Sequence, residues 1–180
     1  MLTAGSCQKA EDSDISLLSE DSLTSYEVLY GEKADEVMES LSLSEEDLTE
    51  GRGRGMLDLN QQVNLEGKAF TQSLLFDDST ETLYGVLFSY FGSSTAEIAE
   101  LSEQLLEDIK KEYGEPDTYP GLTNQLSAEG SLDAIRDASA GTWREEWKVG
   151  EKSTLTLSVN VIDGNTSSVI LQYSLQMLPN

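Results

Sequence analysis

Two stretches of this chain repeat one pattern, and the repetition restricts the folds that the chain can adopt. YGEKADEV at 30–37 and FGSSTAEI at 91–98 share an aromatic residue, a glycine, four variable residues, a glutamate and an aliphatic residue. In each copy the glycine precedes a helical pattern. Because the chain has 180 residues, the duplication predicts one compact unit built from two similar halves.

The helix of the second copy has clear signals at both ends. Ser94 and Glu97 have the spacing of a capping box, and an apolar stripe at helical intervals follows them. Gly114 is expected to take a left-handed conformation at the end, and Pro116 prevents continuation. The sequence therefore predicts a helix over 94–113.

Shorter helical segments are predicted elsewhere in both halves. The first copy has apolar residues at helical spacing near 32–41, and Ser44 begins a second short turn at SEEDL. In the second half a further short helix is predicted near 131–138, because the connection before Trp143 is too long for a plain loop. Each half is thus expected to contain two helices.

Alternating apolar residues predict three strands after each helical part. The six groups are Leu57, Leu59 and Val63; Phe70, Leu74 and Phe76; Tyr84, Val86, Phe88 and Tyr90; Trp143 and Trp147; Leu155, Leu157, Val159 and Val161; and Val169, Leu171, Tyr173 and Leu175. DGN at 163–165 predicts a tight hairpin turn before the last strand. We expect an α+β fold: an antiparallel sheet of about six strands with helices on one face, arranged as two tandem helix-helix-three-strand repeats.

This order of elements resembles the SmpA/OmlA-type outer-membrane assembly lipoproteins, and its tandem duplication is similar to the β-lactamase inhibitory protein fold. The family begins its helix with a glycine, five residues and an aliphatic residue, a pattern found here at 31–37 and 92–98. Its later Gly-x-Pro is matched at 114–116, in the second half only. The resemblance covers about 28–178 and implies this fold, without the inhibitor's disulfides, since one cysteine cannot form them.

The single cysteine, Cys7, follows a run of small residues. Ala4, Gly5 and Ser6 before it resemble the lipobox of bacterial lipoproteins, in which the cysteine is lipidated. This resemblance implies an extracytoplasmic protein that is lipid-anchored to the bacterial cell membrane. The alternative is an ordinary frayed terminus with an incidental cysteine, and a cytoplasmic protein if Met1 is the natural start.

The residues after Cys7 predict a tether before the folded part. Residues 8–25 are rich in Ser, Asp and Glu and mostly lack helical or strand periodicity, which is typical of an acidic flexible segment. We therefore divide the chain into three parts. Residues 1–25 contain the signal remnant, the lipidation cysteine and the tether, residues 26–92 form the first repeat, and residues 93–180 form the second repeat. The two repeats are expected to form one compact unit.

Composition excludes several classes of function. The chain has 34 acidic and 11 basic residues, a net charge of −23, which repels nucleic acid and anionic lipid headgroups. It has no histidine and one cysteine, so histidine-based nucleophilic catalysis and imidazole or thiolate metal sites cannot be built from it. No apolar run approaches the roughly 18 residues of a membrane-spanning helix. We predict no cofactor and no binding of zinc or nucleotides.

Three short motifs have plain structural interpretations. GRGRG at 51–55 lacks the strand-then-helix setting of a phosphate loop and is predicted to be a flexible link. Trp143 and Trp147 share one face of a strand and are predicted to pack in the core; an aromatic platform for a sugar or peptide is the alternative. DSDISLLSE at 12–20 lacks the glycine and the spacing of a calcium loop.

These observations favour a non-catalytic, surface-tethered lipoprotein that binds or scaffolds another envelope or extracellular protein, and that is itself a monomer. We predict no catalytic residue and no metal ligand, and the sequence leaves the binding residues unknown. The alternative is a carboxylate-dependent or cation-assisted hydrolase with an acidic cleft, because carboxylates are abundant.

Overall fold

A computed structural model of the chain describes residues 15–49, 55–117, 132–138, 140–163 and 166–175. The helices are α1 (Glu20–Thr24), α2 (Ala34–Ser40), α3 (Thr95–Tyr113) and α4 (Asp133–Arg136). The strands are β1 (Met56–Leu65), β2 (Lys68–Phe76), β3 (Leu83–Gly92), β4 (Gly141–Val149), β5 (Ser153–Asp163) and β6 (Thr166–Leu175). Short 3-10 helices lie at Ile15–Leu18, Glu27–Leu29 and Glu45–Asp47.

The six strands form one antiparallel sheet with the order β1-β2-β3-β6-β5-β4. The first three strands and the last three are each consecutive along the chain, so the two halves meet where β3 pairs with β6. That central pairing runs from Gly85 opposite Ser174 to Gly92 opposite Ser167. The predicted α+β fold with a six-stranded antiparallel sheet is confirmed.

The long helix α3 begins and ends where the sequence predicts. The Ser94 hydroxyl accepts a hydrogen bond from the Glu97 N–H at 3.2 Å, which satisfies one of the free donors of the first turn. At the other end Gly114 has the expected positive φ of 81°, but its ψ of −161° is extended instead of left-handed helical. Such a conformation is open almost only to glycine.

The folded part of the chain begins before residue 26. Leu18 is 4% exposed and Leu23 is fully buried, and the Tyr113 hydroxyl of α3 donates a hydrogen bond to the Leu18 carbonyl. The tether predicted over 8–25 therefore overlaps folded residues from Ile15 onward. These turns could not be predicted from the sequence. They contain few apolar side chains, which acidic residues separate, and helical turns this short show little periodicity.

The core lies between the helices and one face of the sheet. One row of apolar side chains crosses all six strands in register, and every member is at most 7% exposed: Leu57, Leu74, Val86, Tyr173, Leu155 and Trp147. The buried stripe of α3 packs against this face and includes Ile98, Leu101, Leu105 and Ile109. Burial of each such side chain contributes about 1.5–3 kcal/mol relative to exposure.

Candidate functional site

Most of the motifs singled out in the sequence do not meet in one place. Cys7, the predicted lipidation residue, lies outside the described residues, as do 51–54 of GRGRG and 12–14 of the rejected calcium stretch. Residues 15–20 of that stretch are helical or bent. None of these motifs contributes to the surface described below.

The two tryptophans of β4 belong to the core. Trp143 is 2% exposed and Trp147 is 1% exposed, so the predicted core packing is confirmed and the aromatic platform is wrong. The Trp147 indole N–H donates a hydrogen bond to the Gly114 carbonyl at 3.0 Å, which ties β4 to the end of α3. A buried indole N–H usually has such a partner.

A half-buried carboxylate joins the N-terminal segment to the sheet. Glu27 Oε1 accepts hydrogen bonds from the Ser153 hydroxyl at 2.6 Å and the Tyr173 hydroxyl at 2.8 Å. Burial raises the pKa of Glu27, but these hydrogen bonds and the neighbouring Lys152 outweigh burial, so the pKa is lowered overall. The Tyr26 hydroxyl accepts a further hydrogen bond from Gln72 of β2. This cluster links the N-terminal segment to the strands β2, β5 and β6.

A cavity of about 220 Å³ lies between the N-terminal segment and the end of α3. Its lining includes Ile109 and Tyr113, with the acidic side chains of Asp108 and Glu112. These two carboxylates are one helical turn apart, and Asp108 forms an ion pair with Lys111 at 2.6 Å. Within the part of the chain that the structure describes, no group of three or more acidic, cysteine or histidine side chains could hold a metal ion.

The opposite side of the sheet has a different character, and we call it the outer sheet face. It consists of the strand residues that alternate with the core row, and none of those described belongs to the hydrophobic core cluster. Most of its side chains are half-buried or exposed, and the buried ones include Ser73, Leu75, Thr156, Ser168 and Glu146. One register row of this face crosses all six strands: Asp58, Ser73, Leu87, Gln172, Thr156 and Glu146.

Hydroxyl and amide side chains dominate the outer sheet face. The strand β5 contributes Thr154, Thr156, Ser158 and Asn160 to it, and the strand β6 contributes Ser168, Gln172 and Ser174. These side chains donate and accept hydrogen bonds without carrying charge. In the sequence they are only the polar half of each alternating strand, and that pattern alone does not distinguish a binding face from ordinary solvated residues.

Apolar side chains lie among these polar groups. Leu87 of β3 and Ile170 of β6 are half-buried, and their register places them diagonally opposite each other. Phe91 is 67% exposed and Ile162 is 63% exposed, and both lie at the end of the face where β3 and β5 finish. Leu75 also lies on this face, outside the core cluster. Together they form an apolar stripe in an otherwise polar surface.

The outer sheet face carries no net charge. Its acidic residues are Asp58 and Glu146, and its basic residues are Arg144 and Lys148. Asp58 accepts a hydrogen bond from the Ser73 hydroxyl at 2.5 Å, and Arg144 forms an ion pair with Glu146. The face therefore contributes nothing to the chain's net charge of −23.

Parts of both sheet edges are closed by other segments. Beside β4, the Asp117 N–H donates to the Glu146 carbonyl at 2.8 Å, and the Asp117 carboxylate accepts from the Lys148 N–H at 2.7 Å. Beside β1, the Thr49 N–H donates to the Asp58 carbonyl at 2.9 Å. Capped edges disfavour pairing with a foreign strand. The covered parts of the two edges are therefore closed to such pairing.

Fold and surface together define a mixed α+β protein whose six-stranded sheet packs one face against the helices and carries polar side chains with an apolar stripe on the other. No protein-family model matches the chain, and neither a curated protein nor a solved structure matches it. Among the described residues, no helix has the length and apolar character needed to cross a membrane.

Proposed function

We propose that this chain is a non-catalytic, surface-tethered lipoprotein of the bacterial cell envelope, and that its outer sheet face binds another protein. The observation that carries the proposal is the neutrality of this face in a chain of net charge −23. Protein interfaces are depleted of charge at their centre and combine apolar anchors with hydrogen-bonding groups. Leu87, Ile170 and Phe91 supply the anchors, and the surrounding hydroxyl and amide groups supply the hydrogen bonds.

In-cell photo-crosslinking tests the binding face. The photoreactive residue p-benzoylphenylalanine replaces Leu87 in the full-length gene, expressed in the bacterium that makes the protein. Irradiation is expected to give one discrete crosslinked product heavier than the chain itself. The control places the same residue at Gln104, which is exposed on the opposite side of the molecule on α3. Equal labelling from both positions, or none from Leu87, would contradict the proposal.

The anchor part of the proposal rests on Cys7 and its small neighbours. Acyl chains on this residue would insert into the outer leaflet, and each buried methylene contributes about 0.8 kcal/mol. Because the described fold begins by residue 15, the tether from the cysteine is at most residues 8–14. Labelled fatty acid fed to cells is expected to label the natural protein and to be lost in Cys7→Ser. Label that persists in the variant would refute the anchor.

We further infer that the two halves arose by duplication. After Gly31 and after Gly92, a glutamate five residues on accepts a hydrogen bond from the backbone at the helix start, and the next aliphatic residue is fully buried. The mirrored strand order also supports it. The copies differ in helix length, 7 and 19 residues, and only Gly31 has a positive φ, of 92°. A crystal structure in which α2–β3 and α3–β6 fail to superimpose would refute the duplication.

A further inference from the structure

The outer sheet face has the size of a protein interface. Five strand spacings of about 4.8 Å give a width of about 24 Å, and strands of about nine residues at roughly 3.3 Å give a length of about 30 Å. The resulting plane of about 700 Å², in which Ser73, Leu75 and Thr156 are themselves buried, compares with the roughly 800 Å² that each partner buries in a standard complex. A folded protein domain therefore fits the face better than a short peptide.

Acidic side chains border one end of this face. The turn between β2 and β3 contributes Asp77, Asp78 and Glu81, all of them exposed. The neighbouring turn between β4 and β5 contributes exposed Glu151, beside one basic residue, Lys152. The formal sum over these five residues is −3, while the face they border sums to zero.

Acidic residues also follow the two long sides. Exposed Glu46 and Asp47 lie beside the β1 edge, where the Asn60 amide donates to the Glu46 carbonyl at 2.8 Å. Exposed Asp117 lies beside the β4 edge. The fourth side carries the exposed apolar pair Phe91 and Ile162 instead. Among the described residues, negative charge thus borders the neutral face at one end and along the β1 edge, whereas Asp117 at the β4 edge is offset by exposed Arg144 and Lys148.

We propose that the outer sheet face binds a protein whose contact patch has an uncharged, partly apolar centre and a border of lysine and arginine that faces the acidic end and the β1 edge. Charge complementarity carries this inference, which rests on the proposed function and specifies the partner of that same face. Opposite charge at an interface border accelerates association and excludes wrong partners. The neutral centre lets apolar and hydrogen-bonding contacts form without burying an unpaired charge.

The same electrostatics disfavour other occupants of the face. A second copy would bring its own acidic border against this one, and two chains of −23 each would meet. Juxtaposed like charges cost several kcal/mol. A partner with a basic border relieves that repulsion.

Charge reversal at the border tests the inference. The photoreactive residue stays at position 87, and the triple variant Asp78→Lys, Glu81→Lys and Glu151→Lys is made in the full-length gene. These three residues are exposed and lie outside the face itself. The yield of the Leu87 crosslink is expected to fall about tenfold, because steering by complementary charge changes association rates by 10-fold to 1,000-fold.

A matched control changes the same total charge elsewhere. Glu100→Lys, Glu107→Lys and Glu112→Lys reverse three exposed residues of α3 and also raise the net charge by six, from −23 to −17. This control is expected to keep most of the crosslink yield, because its lysines lie on the helix-covered side. Circular dichroism of all variants checks that they are folded.

The outcomes separate this inference from the proposed function. If the border variant and the control variant lower the yield of the Leu87 crosslink equally, the partner with a basic border is refuted. The proposed binding face is not refuted by that result. A product of twice the mass of the chain also refutes the partner with a basic border, in favour of a second copy. No crosslink in the unchanged chain refutes the proposed function itself.

Discussion

The carboxylate of Glu97 holds the beginning of α3 to the neighbouring strands. It accepts hydrogen bonds from Lys68 Nζ at 2.5 Å, the Tyr90 hydroxyl at 2.7 Å, and the Ser93 N–H and hydroxyl at 2.9 and 3.0 Å. These donors, with Lys68 as the largest contributor, lower the pKa of Glu97 from 4.5 to about 2. The capping box predicted for Ser94 and Glu97 is thus half present, since the Glu97 carboxylate turns to Ser93.

Replacing this carboxylate is expected to destabilise the fold in a pH-dependent way. Glu97→Gln should lower the free energy of unfolding at pH 7 by about 1 kcal/mol, a value at the low end for charged hydrogen bonds because Lys68 and Glu97 are 37% and 23% exposed. The folded pKa lies below the unfolded value, so the carboxylate stabilises fully above about pH 4.5 and progressively less toward pH 2. Urea unfolding of both proteins across that range measures the difference.

An equal charge change at an exposed site provides the control for this prediction. Glu100→Gln also removes one negative charge from the first part of α3, where its side chain is exposed. It should change the free energy of unfolding by no more than about 0.5 kcal/mol. A difference between Glu97→Gln and the natural chain that stays constant down to pH 2 would show that the carboxylate's charge is not what stabilises this contact.

At the scale of elements, the pairing of β3 with β6 joins the two halves, and Gly85 lies in this pair. A Cβ atom at this position would lie 2.7 Å from the Tyr173 carbonyl oxygen and 2.7 Å from Ser174 Cβ. Both contacts are too short, and the first involves backbone, which cannot rotate away. The strands therefore approach closely only because residue 85 has no side chain.

The substitution Gly85→Ala is expected to weaken this junction. Extra volume in a packed site typically costs about 1–3 kcal/mol, and here it forces β3 and β6 apart. Urea unfolding monitored by tryptophan fluorescence should show a lower midpoint, since Trp143 and Trp147 lie in the core beyond β6. Ser89→Ala, on the same strand and face, adds no atom and serves as the control. An unchanged midpoint in Gly85→Ala would contradict the close approach.

The elements that could be predicted are those with a long or regular pattern. The alternation in β5 and the stripe of α3 identified their bounds closely, because periods of 2 and 3.6 are distinct over ten residues or more. The helical turns before residue 26 were not predicted, because their few leucines form no periodic pattern. These leucines are buried only by the surface that the sheet and α3 provide. The residue make-up of the outer sheet face could not be predicted for a related reason. A single alternating strand does not show which polar side chains become neighbours, and only the strand order places Asp58 and Glu146 at opposite edges.

For the whole molecule, the dominant physical feature is uncompensated negative charge outside the outer sheet face. The chain has a net charge of −23 on 180 residues, and its negative side chains repel one another more strongly when the chain is compact than when it is unfolded. Local ion pairs such as Lys110 with Glu115 at 2.6 Å relieve only part of this repulsion. The stabilisation from core packing must therefore exceed this electrostatic repulsion for the fold to be stable.

Salt is accordingly expected to stabilise the protein. Raising NaCl from about 10 mM to about 150 mM shortens the screening length from about 30 Å to about 8 Å, which weakens repulsion between charges on different sides of the fold. The free energy of unfolding in urea, a denaturant that adds no ions, should rise by about 1 kcal/mol over this range. The variant with Glu100→Lys, Glu107→Lys and Glu112→Lys, of net charge −17, should gain less from the same salt. A stability that falls with salt would mean that attractive ion pairs outweigh the excess charge, and an equal gain in both proteins would mean that the salt acts through something other than screening.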